Sequence, residues 1–451
     1  MSRYVLPGYT APTVTVTHSA SAVSPLMRGQ AALKGRNFAD AVEWFEKARK
    51  EKPEDALALA GLGQTLCSLG KRDEGTALLR QACGYFLQAA RQSGNINELV
   101  ELIAQLQHWS DFGGALEVCK QLVQINSADF RGHRLLALTY SQLNMTADAL
   151  VAGRRALDLD PENSMLHILQ ASLEADAGLN AEARLHLEDV LSYELSPREE
   201  FRAEKELARV LDKLREFDKV FAHLHAAAGL AEALPEVGRQ NKELIPAMLK
   251  ANRAGFDREL LGRWSDAAFP PDQSPPTFLV GFMRSGTTLT QEVLDAHPGV
   301  FVADEADFIW AMHRELHLMD KAGGDTAEKL RRLDLAGVLH LREFYWSRVR
   351  QRFGDSIGDR MLVDKFTMNT IDLGLINSVF PDARVVFVMR DPRDVCVSCF
   401  MQLMVPSPAT VHLLSWRGTA EFYAMVMDWW LHIRQYLTMP VIEFRHDNQV
   451  P

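Results

Sequence analysis

Cysteine is scarce in this sequence: Cys67, Cys83, Cys119, Cys396 and Cys399 are five thiols in 451 residues. An odd and scattered set does not make a disulfide framework. That excludes a small stapled secreted scaffold and points to a reducing compartment, the cytoplasm. No apolar run approaches the ~18 residues that cross a membrane. The opening MSRYVLPGYTAPTVTVTHSASAVS has no basic stretch followed by an apolar core. Residues 1–22 therefore read as a flexible tail and not as a secretory leader. A basic surplus is missing too: the formal charge is −10, which argues against a general nucleic-acid binder. Metal-ligand spacing is absent around His412 and His432, and Cys396-Val-Ser-Cys399 has no second pair to complete a zinc site. No aromatic flank marks that pair as thioredoxin-like, so it reads as one face of a helix.

What is present is enough apolar material for sizeable cores: 47% of residues are hydrophobic and 24% charged. The length suits two or three domains. The first half repeats. Gly29, Ala41, Phe45, Ala48 and Pro53 have the spacing of a tetratricopeptide unit, with small residues where two helices approach and a bulky one in the gap. The same slots recur at Gly63, Gly75, Leu79 and Ala82. The phase then slips by six and resumes at Ala115, Ala149 and Ala183, which are 34 apart. Pro161 marks a unit boundary, and a last unit fits Ala208, Leu224 and Ala227. Because one hairpin cannot bury its apolar face, such units stack. Roughly five or six are expected as an α-solenoid over residues 23–230. Residues 231–276 read as a helical connector followed by a stiff spacer with Pro270, Pro271, Pro275 and Pro276.

Beyond residue 277 the pattern changes. Thr277-Phe278-Leu279-Val280 is a short apolar strand running into Gly281-Phe282-Met283-Arg284-Ser285-Gly286-Thr287-Thr288, and a helix follows. The glycines have P-loop spacing, but Thr287 stands where a nucleotidase places lysine. Strand, glycine loop and helix N-terminus make an anion site of backbone N–H groups. Met361-Leu362-Val363 and Arg384-Val385-Val386-Phe387-Val388-Met389 read as further buried strands. The first leads to Lys365, and the second to Arg390, with Ser398 eight residues on. Strands alternating with helices predict a parallel α/β sheet, with these residues at the strand ends where such sheets bind ligands.

Three stretches, Arg284 to Leu289, Leu294 to Pro298 with Asp304-Glu305, and Arg390-Asp391-Pro392-Arg393-Asp394 with Ser398, resemble the sulfotransferase family. The likeness is strongest to its protein-tyrosine-sulfotransferase-like branch and covers residues 277–451. Members of that branch also carry tetratricopeptide units in front of the domain. The resemblance implies 3′-phosphoadenosine-5′-phosphosulfate as sulfuryl donor and no metal. Such a donor has no magnesium-bridged phosphate tail, which accounts for the missing lysine. It further implies that Arg284, Ser285, Gly286, Thr287 and Thr288 cradle the 5′-phosphosulfate. Arg390 and Ser398 would hold the 3′-phosphate, a task suited to arginine's planar fork. Glu305 aligns with the catalytic base, Lys365 with the cation at the leaving phosphate oxygen, and Arg284 with a charge stabiliser. Asp304 is placed to raise the pKa of Glu305 by like-charge repulsion.

Plainer roles are expected for neighbouring residues. Asp391 and Asp394 read as caps of the next helix. His297 reads as a turn residue, and Trp429-Trp430 with Met425 and Met427 as a buried helix face. Two departures stand out. Phe366-Thr367-Met368-Asn369 follows Lys365 where the family places a proline. Val441 to Asn448 resembles a strand ending Arg-Tyr-Glu-Asp, with His446, Asp447 and Asn448 in the last three slots. The family also continues past the point corresponding to Pro451 with helices and a basic closing loop, so the domain is expected to be incomplete there.

The expected activity is sulfuryl transfer to an acceptor hydroxyl, of a protein tyrosine or a glycan, with the repeats binding a protein partner or the acceptor. Two other readings stand beside it. One is a non-catalytic interaction protein with a relic sulfotransferase half. The other is a nucleoside-triphosphate enzyme, against which Thr287 and the lack of a Walker-B-like strand end both speak.

Overall fold

The computed structural model describes residues 24–35, 37–270 and 274–446. The tail expected over 1–22 lies outside them, as do Asp447 and Asn448. The chain divides into two compact units between Leu234 and Pro235.

Among the described residues the first unit is six helix pairs: α1 Pro25–Lys34 with α2 Phe38–Glu51, α3 Ala56–Ser68 with α4 Arg72–Ser93, α5 Asn97–His108 with α6 Phe112–Ile125, α7 Phe130–Gln142 with α8 Thr146–Leu159, α9 Ser164–Asp176 with α10 Asn180–Val190, and α11 Pro197–Lys213 with α12 Phe217–Ala231. Each pair also packs on the next, as a tetratricopeptide solenoid requires. The predicted small slots Ala41, Ala115, Ala149, Ala183, Ala208 and Ala227 are all fully buried. Gly63 and Gly75 bring α3 and α4 together: a Cβ on Gly63 would lie 2.7 Å from the Gly75 carbonyl oxygen, so any side chain forces the helices apart. The phase slip has a plain cause. Helix α4 has 22 residues where α2, α6 and α8 have 14. The slot pattern resumes once that longer helix is complete.

The second unit runs α13 Pro235–Gly238, α14 Leu244–Gly255, α15 Arg258–Gly262, β1 Thr277–Gly281, α16 Thr287–Asp295, β2 Val300–Asp304, α17 Phe308–Met319, α18 Thr326–Arg332, α19 Leu335–Phe353, β3 Met361–Lys365, α20 Leu373–Val379, β4 Arg384–Met389, α21 Pro392–Met401, α22 Trp416–Ile433 and β5 Val441–Arg445. The sheet is wholly parallel in the order β2-β3-β1-β4-β5. One face carries the main core, where Phe278, Val280, Leu362, Val385 and Phe387 meet the helices. Trp430 of α22 lies flat on Phe387 at 3.7 Å, and the Trp429 indole N–H donates to the Thr370 carbonyl at 2.9 Å. The other face holds a smaller cluster of Leu279, Val300, Val363 and Val388 with Leu294 of α16 packed against it.

Two expectations need amending. Helices α14 and α15 fall in the segment expected to be a connector, yet Ile245, Leu249, Phe256, Leu260 and Leu261 are buried in the core of the sheet unit. Their apolar stripes are covered by α18, α20 and α22, so they belong to that domain. Strand β2 was not anticipated. Its Val-Phe-Val-Ala run leads into the Asp304-Glu305 pair. No helix among the described residues is long and apolar enough to cross a membrane.

Candidate functional site

Strand β1 is buried along its whole length and delivers the chain into the glycine loop. The loop turns sharply because Arg284 (φ 66°) and Gly286 (φ 102°) both adopt left-handed backbone. Glycine suits the second position, whereas an arginine at the first is strained. Gly281 lets the loop fold back: a Cβ there would lie 2.6 Å from the Val388 carbonyl oxygen and 2.8 Å from Ser285 Oγ. Thr370 Oγ1 fixes the same point, accepting from the Gly281 N–H at 3.1 Å and donating to its carbonyl at 2.7 Å. Thr287 and Thr367 bring their hydroxyls within 3.2 Å. The departing stretch after Lys365 is thus a short turn of hydroxyls bracing the loop, a role that its sequence alone does not signal.

Ser285 is 2% exposed, and its Oγ has no hydrogen-bond partner among the described residues. Such a buried hydroxyl normally finds a partner. Helix α16 starts at Thr287, so its first N–H groups face out of the loop unsatisfied by the helix itself. Loop amides, helix dipole and an unmet hydroxyl together suit an anion.

The sheet order places chemistry on both sides of this loop. The chain leaves β1 toward β3 and β2 on one side and returns to β4 on the other, so the topological switch lies between β1 and β4. On the β4 side, Arg390 follows the strand and reaches Asp394 at 3.3 Å. Asp391 caps α21, accepting from the Arg393 N–H at 2.8 Å. The Arg393 side chain holds its carboxyl far below the ordinary range. Arg284 Nε donates to Ser398 Oγ at 3.1 Å, linking loop to α21. Cys399 Sγ donates to the Met283 carbonyl at 3.4 Å, and burial pushes its thiol up to about 12. The CxxC pair is therefore buried behind the loop and poorly ionisable.

On the other side, Lys365 is the last residue of β3 and is paired in register with Asp304, the last of β2. Its Nζ donates to Asp304 at 2.9 Å and to Glu305 at 3.0 Å. The lysine side chain is 3% exposed and the two carboxylates are more than half exposed. Asp304 and Glu305 are thus bridged by a cation and do not face each other bare. Glu305 has φ 45° and is held there by its N–H bond to the Lys365 carbonyl at 2.8 Å. A left-handed glutamate at a strand end is a strained and specific placement.

A family model described as "Sulfotransferase family" matches residues 275–450. Those residues form a sulfotransferase-family domain. A curated Aquifex aeolicus (strain VF5) protein, described as uncharacterized, is 28% identical over 233 residues. That match covers 50% of this chain and 29% of the relative, so the chain spans under a third of that protein. Among solved structures, PilF of Pseudomonas aeruginosa is similar at 17% identity, covering 47% of this chain and 91% of that chain with a TM-score of 0.34. YrrB, titled a TPR protein with an unusual peptide-binding site, is similar at 16% identity, covering 42% and 93% with a TM-score of 0.30.

Within the sulfotransferase domain, two groups of candidate residues have direct contacts. Lys365 joins Glu305, and Arg284 joins Ser398. Arg390 contacts neither group directly and pairs within its own helix turn. His297 accepts from the Gly299 N–H at 3.0 Å in a turn. Sequence reasoning missed Thr367 and Thr370, which act across 80 to 89 residues of chain. It also missed Asp364, buried on the opposite face of β3, which accepts from the Tyr345 hydroxyl at 2.9 Å. No three His, Cys, Asp or Glu side chains among the described residues converge as a metal site would.

Proposed function

We propose that this chain is a sulfotransferase that moves a sulfuryl group from 3′-phosphoadenosine-5′-phosphosulfate to an acceptor hydroxyl. The observation that carries the reading is the glycine loop. It has an anion-cradling shape, no lysine, and a buried Ser285 hydroxyl awaiting a partner. In this reading the amides of residues 285–288, with the Ser285, Thr287 and Thr288 hydroxyls, take the 5′-phosphosulfate. Arg284 adds charge there. Arg390 exchanges its long contact with Asp394 for the 3′-phosphate. Ser398 accepts from Arg284, which leaves its own O–H free to donate to that phosphate.

Glu305 serves as the base, and Lys365 faces the leaving oxygen. The acceptor hydroxyl proton passes to the Glu305 carboxylate as its oxygen bonds to sulfur. The sulfur–oxygen bond to the 5′-phosphate breaks, and the bisphosphate departs with its new charge beside Lys365. Catalysis here is positioning and charge stabilisation, as in phosphoryl transfer. The Lys365–Glu305 pair, 3.0 Å apart, must part before either group acts. An arriving phosphate competes for Lys365 and frees the base.

The repeats would bind a protein partner or present an acceptor, a protein tyrosine or a glycan, since stacked hairpins offer an extended surface. Five cysteines, all free and all buried, support a cytoplasmic setting. Isothermal titration of the chain with adenosine-3′,5′-bisphosphate, with Arg390→Ala as control, tests the reading. Micromolar binding weakened by the substitution is the expected result. No binding by a folded chain would overturn it in favour of a non-catalytic interaction protein.

A further inference from the structure

The turn after Lys365 aims two hydroxyls at the glycine loop, one at each end. Thr370 Oγ1 accepts from the Gly281 N–H at 3.1 Å and donates to its carbonyl at 2.7 Å, so its proton is used. Thr367 Oγ1 lies 3.2 Å from Thr287 Oγ1, where α16 begins. Thr367 is 9% exposed and Thr287 4%. Neither hydroxyl has another partner among the described residues. Between them they carry two protons, and the bond that joins them uses one. The other is left over where water scarcely reaches, and a buried hydroxyl normally finds an acceptor. If Thr287 donates to Thr367, the spare proton sits in the turn, with no acceptor for it among the described residues. If Thr367 donates to Thr287, the spare proton sits in the glycine loop, which also holds the unmet Ser285 hydroxyl.

We infer that Thr367 is a positioning residue: it donates to Thr287 and so turns the Thr287 O–H toward an anion in the loop. The inference rests on the sulfotransferase reading, in which Thr287 meets the 5′-phosphosulfate. An anion offers acceptors only, so its arrival selects the second arrangement. Thr367 itself does not touch the nucleotide. The role belongs to this chain, because the family places a proline, which has no hydroxyl, in the slot that Thr367 fills. Thr287 in turn stands where a nucleotidase has lysine. A lysine brings three protons on a long stem, whereas a threonine has one proton that must be aimed from behind. The hydroxyl pair also ties the loop to β3, which ends in Lys365 two residues before Thr367. The anion cradle and the cation at the leaving oxygen are thereby held in one frame.

The probe is adenosine-3′,5′-bisphosphate, titrated calorimetrically against the full chain. The variants are Thr367→Val, Thr367→Ser, Thr287→Val and the double variant with valine at both positions. Each is melted first to establish that it is folded. Thr367→Val keeps the shape of the side chain and removes its proton. Thr367→Ser keeps the proton and loses the methyl group. Thr367→Ala takes the place of Thr367→Val, with the same expectations, if the valine variant does not fold.

The expected result is that Thr367→Val weakens binding about threefold to tenfold, as loss of one hydrogen bond would. Thr367→Ser should stay within about twofold of the unaltered chain. The double variant should bind no more weakly than Thr287→Val alone, since Thr367 acts only through Thr287. Equal binding by Thr367→Val and the unaltered chain would overturn the inference and leave the sulfotransferase reading standing. So would losses that add in full in the double variant, or a Thr367→Ser loss as large as that of Thr367→Val, since packing of the turn alone predicts either. An unaltered chain that does not bind the bisphosphate would overturn both.

Discussion

Ala115, Ala149 and Ala183 bury the same methyl group at the same slot three times over, whereas nothing in the sheet unit repeats Arg284, Lys365 or Arg390. In the repeat unit contacts are near in sequence: Lys213 reaches the Ala175 carbonyl across 38 residues, and Arg131 reaches Asn97 across 34. In the sheet unit Arg284 reaches Ser398 across 114 residues and Asn252 reaches the Ile371 carbonyl across 119. The first arrangement spreads stability over many similar joints. The second gathers distant residues at the ends of five strands, so a single substitution there can remove a function without unfolding anything. Four measurements sharpen or break this contrast.

The largest effect belongs to Glu305. Glu305→Gln should lower the rate of sulfuryl transfer by about 10²–10⁴, the usual worth of a positioned base. Binding of adenosine-3′,5′-bisphosphate should change little. A single-turnover assay with labelled donor and a titration decide it, and equal activity would remove Glu305 from the chemistry. Next is Trp430, stacked on Phe387 in the centre of the sheet core. Trp430→Ala should cost about 3–5 kcal/mol in the sheet unit alone. A denaturation curve that splits into two transitions, with the repeat transition unmoved, is the expected outcome. One merged shift would show that the units unfold together.

A smaller and local effect is expected at Gly63. A valine there meets the Gly75 carbonyl and Leu79. The cost should be about 1–3 kcal/mol in the repeat unit, read from the melt of its helices, with nucleotide binding unaltered. Reduced nucleotide binding would break the separation of roles.

The smallest effect is one of pH. Burial, the main cause, lifts Asp364 to about 7, and Tyr345 only partly offsets it. The unfolded value is about 3.9. Between these values the folded chain keeps a proton that the unfolded chain has released, so stability falls as pH rises from about 4 to about 7. Asp372, also lifted to about 7 by burial, acts with the same sign. Asp364→Asn should remove part of that slope in a series of melts between those pH values, and an unchanged slope would discount it.

Much of this architecture was legible in the residues. The 34-residue spacing gives the hairpins because each small slot reports a local helix contact. The phase slip needed only a longer α4 to explain it. The glycine loop with β1, β3 and β4 was legible for a similar reason, since strand, turn and helix start are short-range patterns. Strand β2 was not, because its Phe301 and Val302 are only partly buried and it ends in acids already claimed for chemistry. Nor was the bond from Thr370 to Gly281, which depends on which elements become neighbours, and no local pattern states that. Helices α14 and α15 were misassigned because an amphipathic stripe does not say which core it joins.

The pairing of Lys365 has one more consequence. An ammonium group carries three protons in a tripod. Two legs stand on Asp304 and Glu305. The third has no counterpart among the described residues, so it can meet a newcomer before either carboxylate lets go. In the proposed transfer, Asp304 would then be an anchor that keeps the tripod upright while Glu305 is released. Shortening the anchor by one charge, as in Asp304→Asn, would let the lysine lean toward Glu305 and hold the base captive. The neighbour of the base would in that way set its timing.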